Sequence, residues 1–311
     1  MKRTVMLTAA GALALAAAAS AQVEIERRRV APPQGEVQID NDFGSVVVRT
    51  WERAEVLVRG TLAAGAHELD LDGDKERVRI SVDVPDAWFH AAGEDAAFRS
   101  TLEVTVPVGA SVSVETVNAT VDIAGVRGTV EVESINGNVQ VAGPAREIEI
   151  ETMTGSVQVR AAGAPMKGLE IETISGAVTV TGAAGEVGVE TVSGAIDVAG
   201  SGIEHLQIKS TTGRVGFRGA LAARGKVEIE TFSSPVRLVL PRATRAAFEL
   251  ETFGGKIQSD FCAGTPLTRE RFEPYRLLRC STGPDEFEIR VRTHDSDITI
   301  AAEGGEKGTT P

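Results

Sequence analysis

Residues 169–180 read LEIETISGAVTV, and this short stretch decides the fold. Its first half alternates apolar and acidic residues, Ser175 and Gly176 interrupt the pattern, and the second half alternates again around Thr179. Alternation with a period of two is typical of half-buried β-strands, and glycine supplies the positive φ of a sharp corner. The stretch therefore predicts two short strands joined by a tight corner.

The same unit recurs along the chain, and each copy is marked by a charged residue followed by a hydroxyl. The marks are Glu115-Thr116, Glu133-Ser134, Glu151-Thr152, Glu172-Thr173, Glu190-Thr191, Lys209-Ser210, Glu230-Thr231 and Glu251-Thr252, at steps of 18 to 21 residues. A repeat of this length, sustained over so many copies, is typical of a solenoid. We therefore predict an all-β fold, a single-stranded parallel β-helix (β-solenoid) with coils of 18–21 residues, and we expect right-handed winding.

Each repeat position should form a column along the solenoid, because parallel strands stack about 4.8 Å apart. We expect one buried column at Ile150, Ile171, Val189, Ile208, Ile229 and Leu250. The corner leaves one question open. Simple alternation points Thr173 inward, but the following Ile174 is also apolar, and only one of the two can face the core at the bend.

The chain divides by the regularity of its repeats. We predict a signal peptide at 1–21, an atypical N-terminal β cap with degenerate first coils at 22–110, the regular solenoid at 111–260, a disulfide-bounded insertion at 261–285, a final coil at 286–302 and a disordered tail at 303–311. A solenoid needs such atypical ends, because they cover strand edges that would otherwise remain open.

The first residues predict export. Lys2 and Arg3 precede an apolar Ala- and Leu-rich run that ends in Ala19-Ser20-Ala21, as in a secretory signal peptide. Removal of this leader changes the formal net charge from −12 to −14, so nucleic acid is not an expected partner. We expect a periplasmic or extracellular protein, at the cell surface in the second case, without a transmembrane segment after cleavage.

The chain has two cysteines, Cys262 and Cys280. In an exported protein an isolated pair most simply forms a disulfide, and no histidine lies near either residue to suggest a metal site.

The segment LEVTVPVGASVSVET at 102–116 and the repeated VETxSGxVxV units resemble the bacterial family of adhesin-like proteins known as domain of unknown function 4097. The resemblance extends from about Val37 to Ile300. It implies an exported or envelope-associated β-solenoid, and it brings no catalytic residues with it.

The repeated glutamates form the first candidate site. Outward-facing Glu133, Glu151, Glu172 and Glu190 should stack in one column, with Glu149 and Glu170 beside it. Two interpretations remain open, a solvated acidic face or a set of Ca²⁺ ligands, since Ca²⁺ prefers several oxygen ligands. We expect no other metal and no cofactor.

The second candidate site is a partner-binding loop inside the insertion, with Arg269, Arg271, Arg276 and the chain's one tyrosine, Tyr275. The repeated serines lack a histidine partner, so they do not predict a nucleophile. The sequence favours a non-enzymatic structural, adhesive or binding module of the cell envelope, with an envelope protein or a glycan as its partner. A polysaccharide-active enzyme using paired carboxylates and a partner in envelope sensing are the alternatives.

Overall fold

The computed structural model describes residues 22–64, 66, 68–85, 98–162, 166–267, 275–283 and 287–304. These residues form 22 β-strands and contain no α-helix. Accordingly, the described part of the chain has no helix with the length and hydropathy of a membrane span. The predicted signal peptide and residues 305–311 of the predicted tail lie outside the described residues.

The strands follow one another from end to end. They are β1 Val23–Val30, β2 Glu36–Asp40, β3 Phe43–Trp51, β4 Glu55–Leu62, β5 Leu69–Gly73, β6 Arg77–Val82, β7 Ser100–Pro107, β8 Ser111–Ala124, β9 Thr129–Asn136, β10 Val139–Gly143, β11 Glu147–Thr154, β12 Val157–Ala161, β13 Met166–Ser175, β14 Val178–Ser193, β15 Ile196–Thr212, β16 Val215–Ser233, β17 Val236–Leu240, β18 Ala247–Thr252, β19 Ile257–Ser259, β20 Arg276–Ser281, β21 Phe287–Thr293 and β22 Ile298–Ala302.

Equivalent strands of successive repeats pair in parallel. β11 lies between β9 and β13, with Ile150 opposite Val132 on one side and Ile171 on the other. Beyond the corner, β12 lies between β10 and β14 in the same way. The chain is therefore an all-β, solenoid-like stack of layers, as the repeat predicts.

The core consists of the predicted apolar columns. Ile150, Ile171, Ile229 and Leu250 are fully buried, and each such side chain contributes about 1.5–3 kcal/mol of transfer free energy. One member of this column was not predicted. Val291 lies between Ile229 and Leu250, because β21 is inserted between β16 and β18.

The corner between the two strands of a layer requires glycine. Gly176 has a φ of +143°, and a Cβ atom there would lie 1.9 Å from the carbonyl oxygen of Gly155 in the layer below. Side chains are excluded by both the backbone conformation and the distance between layers. Stacked corners thus explain the recurrence of glycine at this position.

The structure decides which residue faces the core at the bend. The hydroxyl residues point inward and are at most 7% exposed, namely Thr116, Ser134, Thr152, Thr173, Thr191, Ser210, Thr252 and Thr293. The apolar residue that follows points outward, and Ile174 is 49% exposed. Strict strand alternation holds through the bend, so every layer presents an apolar side chain to solvent.

The N-terminal layers are interleaved out of chain order. β3 lies between β7 and β8, and β2 lies between β6 and β8, all in parallel. Antiparallel strands cover this end of the stack. β5 pairs with β6, β4 pairs with β7, and β1 pairs with β4.

The C-terminal layers are interleaved in the same manner. β21 pairs in parallel with β16 and β18, and β22 with β17 and β19, so the last coil of the chain lies one layer inside the end. β20 then covers the open edge of β18 in an antiparallel pairing. The predicted disulfide joins Cys262 to Cys280, on either side of this closing segment.

Candidate binding groove

Two outward-facing columns run side by side along the middle of the stack. The acidic column consists of Glu115, Glu133, Glu151, Glu172 and Glu190, and the apolar column consists of Ile135, Met153, Ile174 and Val192. The groove between them has a volume of about 550 Å³ and ends near Asp42. Four of the predicted glutamates, Glu133, Glu151, Glu172 and Glu190, are thus neighbours in register and form one wall.

The local sequence explains why both columns face solvent. In each repeat the glutamate and the apolar residue are two positions apart, so a strand places them on the same face. The residue between them is the buried hydroxyl. The four side chains of the apolar column are between 42% and 52% exposed, which is unusual for a continuous row of large apolar residues on a protein surface.

The buried hydroxyls have a structural role. Thr152 Oγ1 donates to the carbonyl oxygen of Thr154 at 3.2 Å, and Thr191 Oγ1 donates to that of Ser193 at 3.3 Å. Thr116 Oγ1 donates to the hydroxyl of Ser134 at 3.0 Å. Small hydroxyls therefore satisfy backbone carbonyls where the strand bends. Because they are buried below the groove, they are not candidate nucleophiles.

The carboxylates of the groove are strongly acidic surroundings for one another. Among the described residues, Glu133, Glu151 and Glu172 form no ion pair. Partial burial, followed by the charges of Glu151, Glu190 and Glu170, raises the pKa of Glu172 above its ordinary value. At the end of the groove, burial and then the charge of Glu115 raise the pKa of Asp42. This wall would bind a cationic group.

Beyond Glu190 the negative charge is neutralised. Lys209 Nζ lies 3.0 Å from Glu190 Oε2. Farther along the stack Arg292 lies 3.7 Å from both Glu230 and Glu251. The surplus of negative charge is therefore confined to the layers that form the groove.

The exposed apolar row continues past the groove as an aromatic ladder. Phe232 and Phe253 stack on opposite faces of His294, with ring centroids 4.8 Å and 5.0 Å apart. His294 belongs to the inserted coil, so this ladder exists only because the layers are interleaved.

The second pair of predicted glutamates lies beside the acidic column. Glu149 is in register with Glu170, and the next layer has Gly188 in place of an acid. The described residues contain no group of three or more His, Cys, Asp or Glu side chains arranged to hold a metal ion. Stacking alone does not converge these carboxylates on one point, because each points outward from its own layer.

The predicted partner loop is only partly described. Arg269 and Arg271 lie outside the described residues. Arg276 lies in β20, opposite Thr252, and its Nη1 donates to the carbonyl oxygen of Gly255. This contact fastens the closing strand to the corner that it covers. Tyr275 directly precedes that strand and is half-buried.

The sequence interpretation overlooked the apolar wall of the groove. Its signal was present, because an apolar residue follows the hydroxyl in most repeats. Periodicity alone did not show which of the two adjacent residues leaves the core.

The fold and the groove define a class, the all-β solenoid-like proteins whose parallel layers expose a side-chain surface for contacts. The chain belongs to the Toastrack family, domain of unknown function 4097, whose family model matches residues 35–301. The resemblance drawn from the sequence is thereby confirmed. No curated protein matches the chain.

Three solved structures align over most of the chain. A "putative adhesin" from Bacteroides fragilis is 10% identical, with 91% of this chain and 98% of that one covered and a TM-score of 0.40. A "putative adhesin" from Parabacteroides distasonis is 10% identical, with coverages of 89% and 97% and a TM-score of 0.36. A "putative cell adhesion protein" from Clostridium sporogenes is 10% identical, with coverages of 90% and 100% and a TM-score of 0.26. At these TM-scores we base no argument on them.

Proposed function

We propose that this protein is an exported, non-enzymatic binding module of the bacterial cell envelope and that it contacts its partner along the groove. One observation carries the proposal. A row of carboxylates without ion pairs runs beside a row of large apolar side chains that are about half exposed. A face that serves only solubility has no need of the apolar row, whereas contiguous apolar surface rimmed by polar groups marks interaction sites.

Export is supported by the N-terminal pattern and by the disulfide. Residues 1–21 have the composition of a secretory signal peptide. Cys262 and Cys280 are bonded, and structural disulfides persist in oxidising compartments such as the periplasm or the cell exterior.

Within this proposal the parts of the chain have separate roles. Residues 22–110 cap one end, residues 111–260 carry the groove in right-handed coils, and residues 261–285 with the coil at 286–302 close the other end. The tail at 303–311 stays disordered. The Arg269 and Arg271 loop would be a secondary contact at the closed end.

The enzymatic alternative has less support. Glycoside cleavage by paired carboxyls needs one protonated and one ionised group in contrasting environments. Glu151 and Glu172 occupy equivalent positions in adjacent layers, so their surroundings are nearly the same. A role in envelope sensing would use the same contact surface and differs only in what binding triggers.

Site-specific photo-crosslinking in living cells tests the proposal. A photoreactive amino acid at Ile174, inside the groove, should crosslink to another envelope macromolecule. The same group at Val30, an exposed apolar residue on β1 outside the groove, is the matched control and should not. Equal crosslinking from both positions, or from neither, would contradict a groove-specific partner.

A further inference from the structure

We propose that the groove binds an extended segment of another protein chain in which Lys or Arg alternates with apolar residues. This inference rests on the proposed function and specifies the chemistry of the partner. It follows from the side-by-side arrangement of the acidic and apolar columns.

Charge selects a cationic partner. The residues that line the groove include Glu115, Glu133, Glu151, Glu172, Glu190 and Asp42, and none of the lining residues is a Lys or Arg. A second copy of this chain would bring a second acidic column against the first. Anionic lipid and nucleic acid would meet the same repulsion. The surface is therefore complementary to positive charge accompanied by apolar groups.

Shape selects an extended, alternating segment. Four layer steps separate Glu115 from Glu190, which is about 19 Å along the stack. An extended chain covers that length with about six residues, and its successive side chains point to opposite sides. A segment lying along the groove would thus direct every second side chain to the acidic column and the others to the apolar column.

Backbone pairing cannot supply the recognition. β11 and β13, which form the middle of the groove, have parallel partners on both sides. No open strand edge lies in this part of the groove, so a partner cannot add itself as a further strand. Side chains alone must distinguish one segment from another, which makes the order of basic and apolar residues decisive.

The test uses two synthetic hexapeptides of the same composition, KVKIKV and KKKVIV, both capped at their termini, and the full mature protein. Affinity is measured by fluorescence anisotropy at low and at physiological salt. We expect the alternating peptide to bind at least several-fold more tightly than the block isomer. An acidic analogue, EVEIEV, should not bind.

Variants assign the binding to the groove. Combined Glu151→Gln and Glu172→Gln should weaken the alternating peptide about tenfold, because exposed ion pairs contribute modestly and add. Ile174→Ser should weaken it as well and reduce the preference for the alternating order. Glu204→Gln and Val30→Ser, which remove an exposed glutamate and an exposed apolar side chain outside the groove, should leave affinity unchanged.

Each failure has its own meaning. Equal binding of the two isomers, or binding that Ile174→Ser leaves unaltered, overturns the alternating segment while crosslinking at Ile174 still supports the proposed function. Absence of crosslinks at Ile174 rejects the proposed function, whatever the peptides do. Thermal unfolding of every variant verifies that the fold is intact, as expected for exposed positions.

Discussion

Glu230 and Arg292 lie opposite each other in neighbouring strands, with Oε1 and Nη1 3.7 Å apart, although β17 to β20 separate them in the chain. Arg292 also lies 3.7 Å from Glu251, on the strand at its other side. Without the inserted strand, two glutamates would face each other at about 4.8 Å and repel by about 0.9 kcal/mol in water. The interleaved coil thus supplies the cations of this end of the stack.

Substitution of the two inserted arginines should reveal a difference set by burial. Arg290 contacts Glu228, Glu249 and Glu288, and its side chain is 26% exposed, whereas that of Arg292 is 45% exposed. Arg290→Gln should therefore lower the free energy of unfolding by about 1–2 kcal/mol, and Arg292→Gln by less than about 1 kcal/mol. Chemical denaturation measures both, and an equal loss would argue against the role of burial.

Glycine at the corner should not tolerate a methyl group. Gly176→Ala places Cβ against the carbonyl of Gly155 at positive φ, so we expect a loss of more than about 2 kcal/mol in unfolding free energy. Gly188→Ala is the matched control, because its Cβ would have no neighbour closer than 3.8 Å. That substitution should be neutral or stabilise by about 0.5–1 kcal/mol. Urea denaturation of the two variants compares them, and similar behaviour would contradict the layer spacing described here.

Removal of the disulfide should loosen the closed end first. Cys262 and Cys280 are 18 residues apart in sequence, and a bridge closing a loop of this size contributes about 3 kcal/mol. With both cysteines replaced by serine, β20 should detach more readily and expose the edge of β18. Hydrogen exchange should rise at β18 and β20 while β11 to β13 remain protected. Uniform loss of protection would show instead that the bridge stabilises the whole stack.

Acidification should first stabilise the protein. Burial and acidic neighbours raise the folded-state pKa of Asp42 and Glu172, so the folded chain binds more protons than the unfolded chain in this range. Stability should then increase as the pH falls from neutrality through their raised pKa values. At lower pH this gain is reversed, because the Lys226 hydrogen bond lowers the pKa of Glu228 and that stabilisation disappears on protonation.

Thermal unfolding between pH 7 and pH 4 measures this effect. Asp42→Asn combined with Glu172→Gln should show a smaller rise of Tm than the unmodified protein. Identical profiles would mean that these two carboxyls are not the source of the acid stabilisation.

Calcium should act on the acidic column only as a salt. The described residues hold no cluster of three carboxylates or other ligands suited to a metal ion, and Lys209 already neutralises Glu190. We therefore expect the same shift of Tm in millimolar CaCl₂ as in NaCl of equal ionic strength, with chelator as the baseline. A clearly larger shift with calcium would restore the interpretation of the glutamates as Ca²⁺ ligands.

The sequence by itself determined the features that depend on local periodicity. Alternation around Glu172 and the glycine at 176 predict strands and corners, and the repeat length predicts stacked layers. The apolar columns and the Cys262 to Cys280 bridge follow from the same patterns. Each of these features involves residues that are near one another in the chain or occupy equivalent places in successive repeats.

Only the tertiary structure decided the order of the layers and the course of the strand at the bend. Every coil offers its neighbours nearly the same backbone edge and apolar face, so the pattern alone does not specify that β21 enters between β16 and β18. Closure of the ends by antiparallel strands makes that choice, because an exposed strand edge must be covered. At the bend, packing space admits the small Thr173 and leaves Ile174 outside, and the groove exists for that reason.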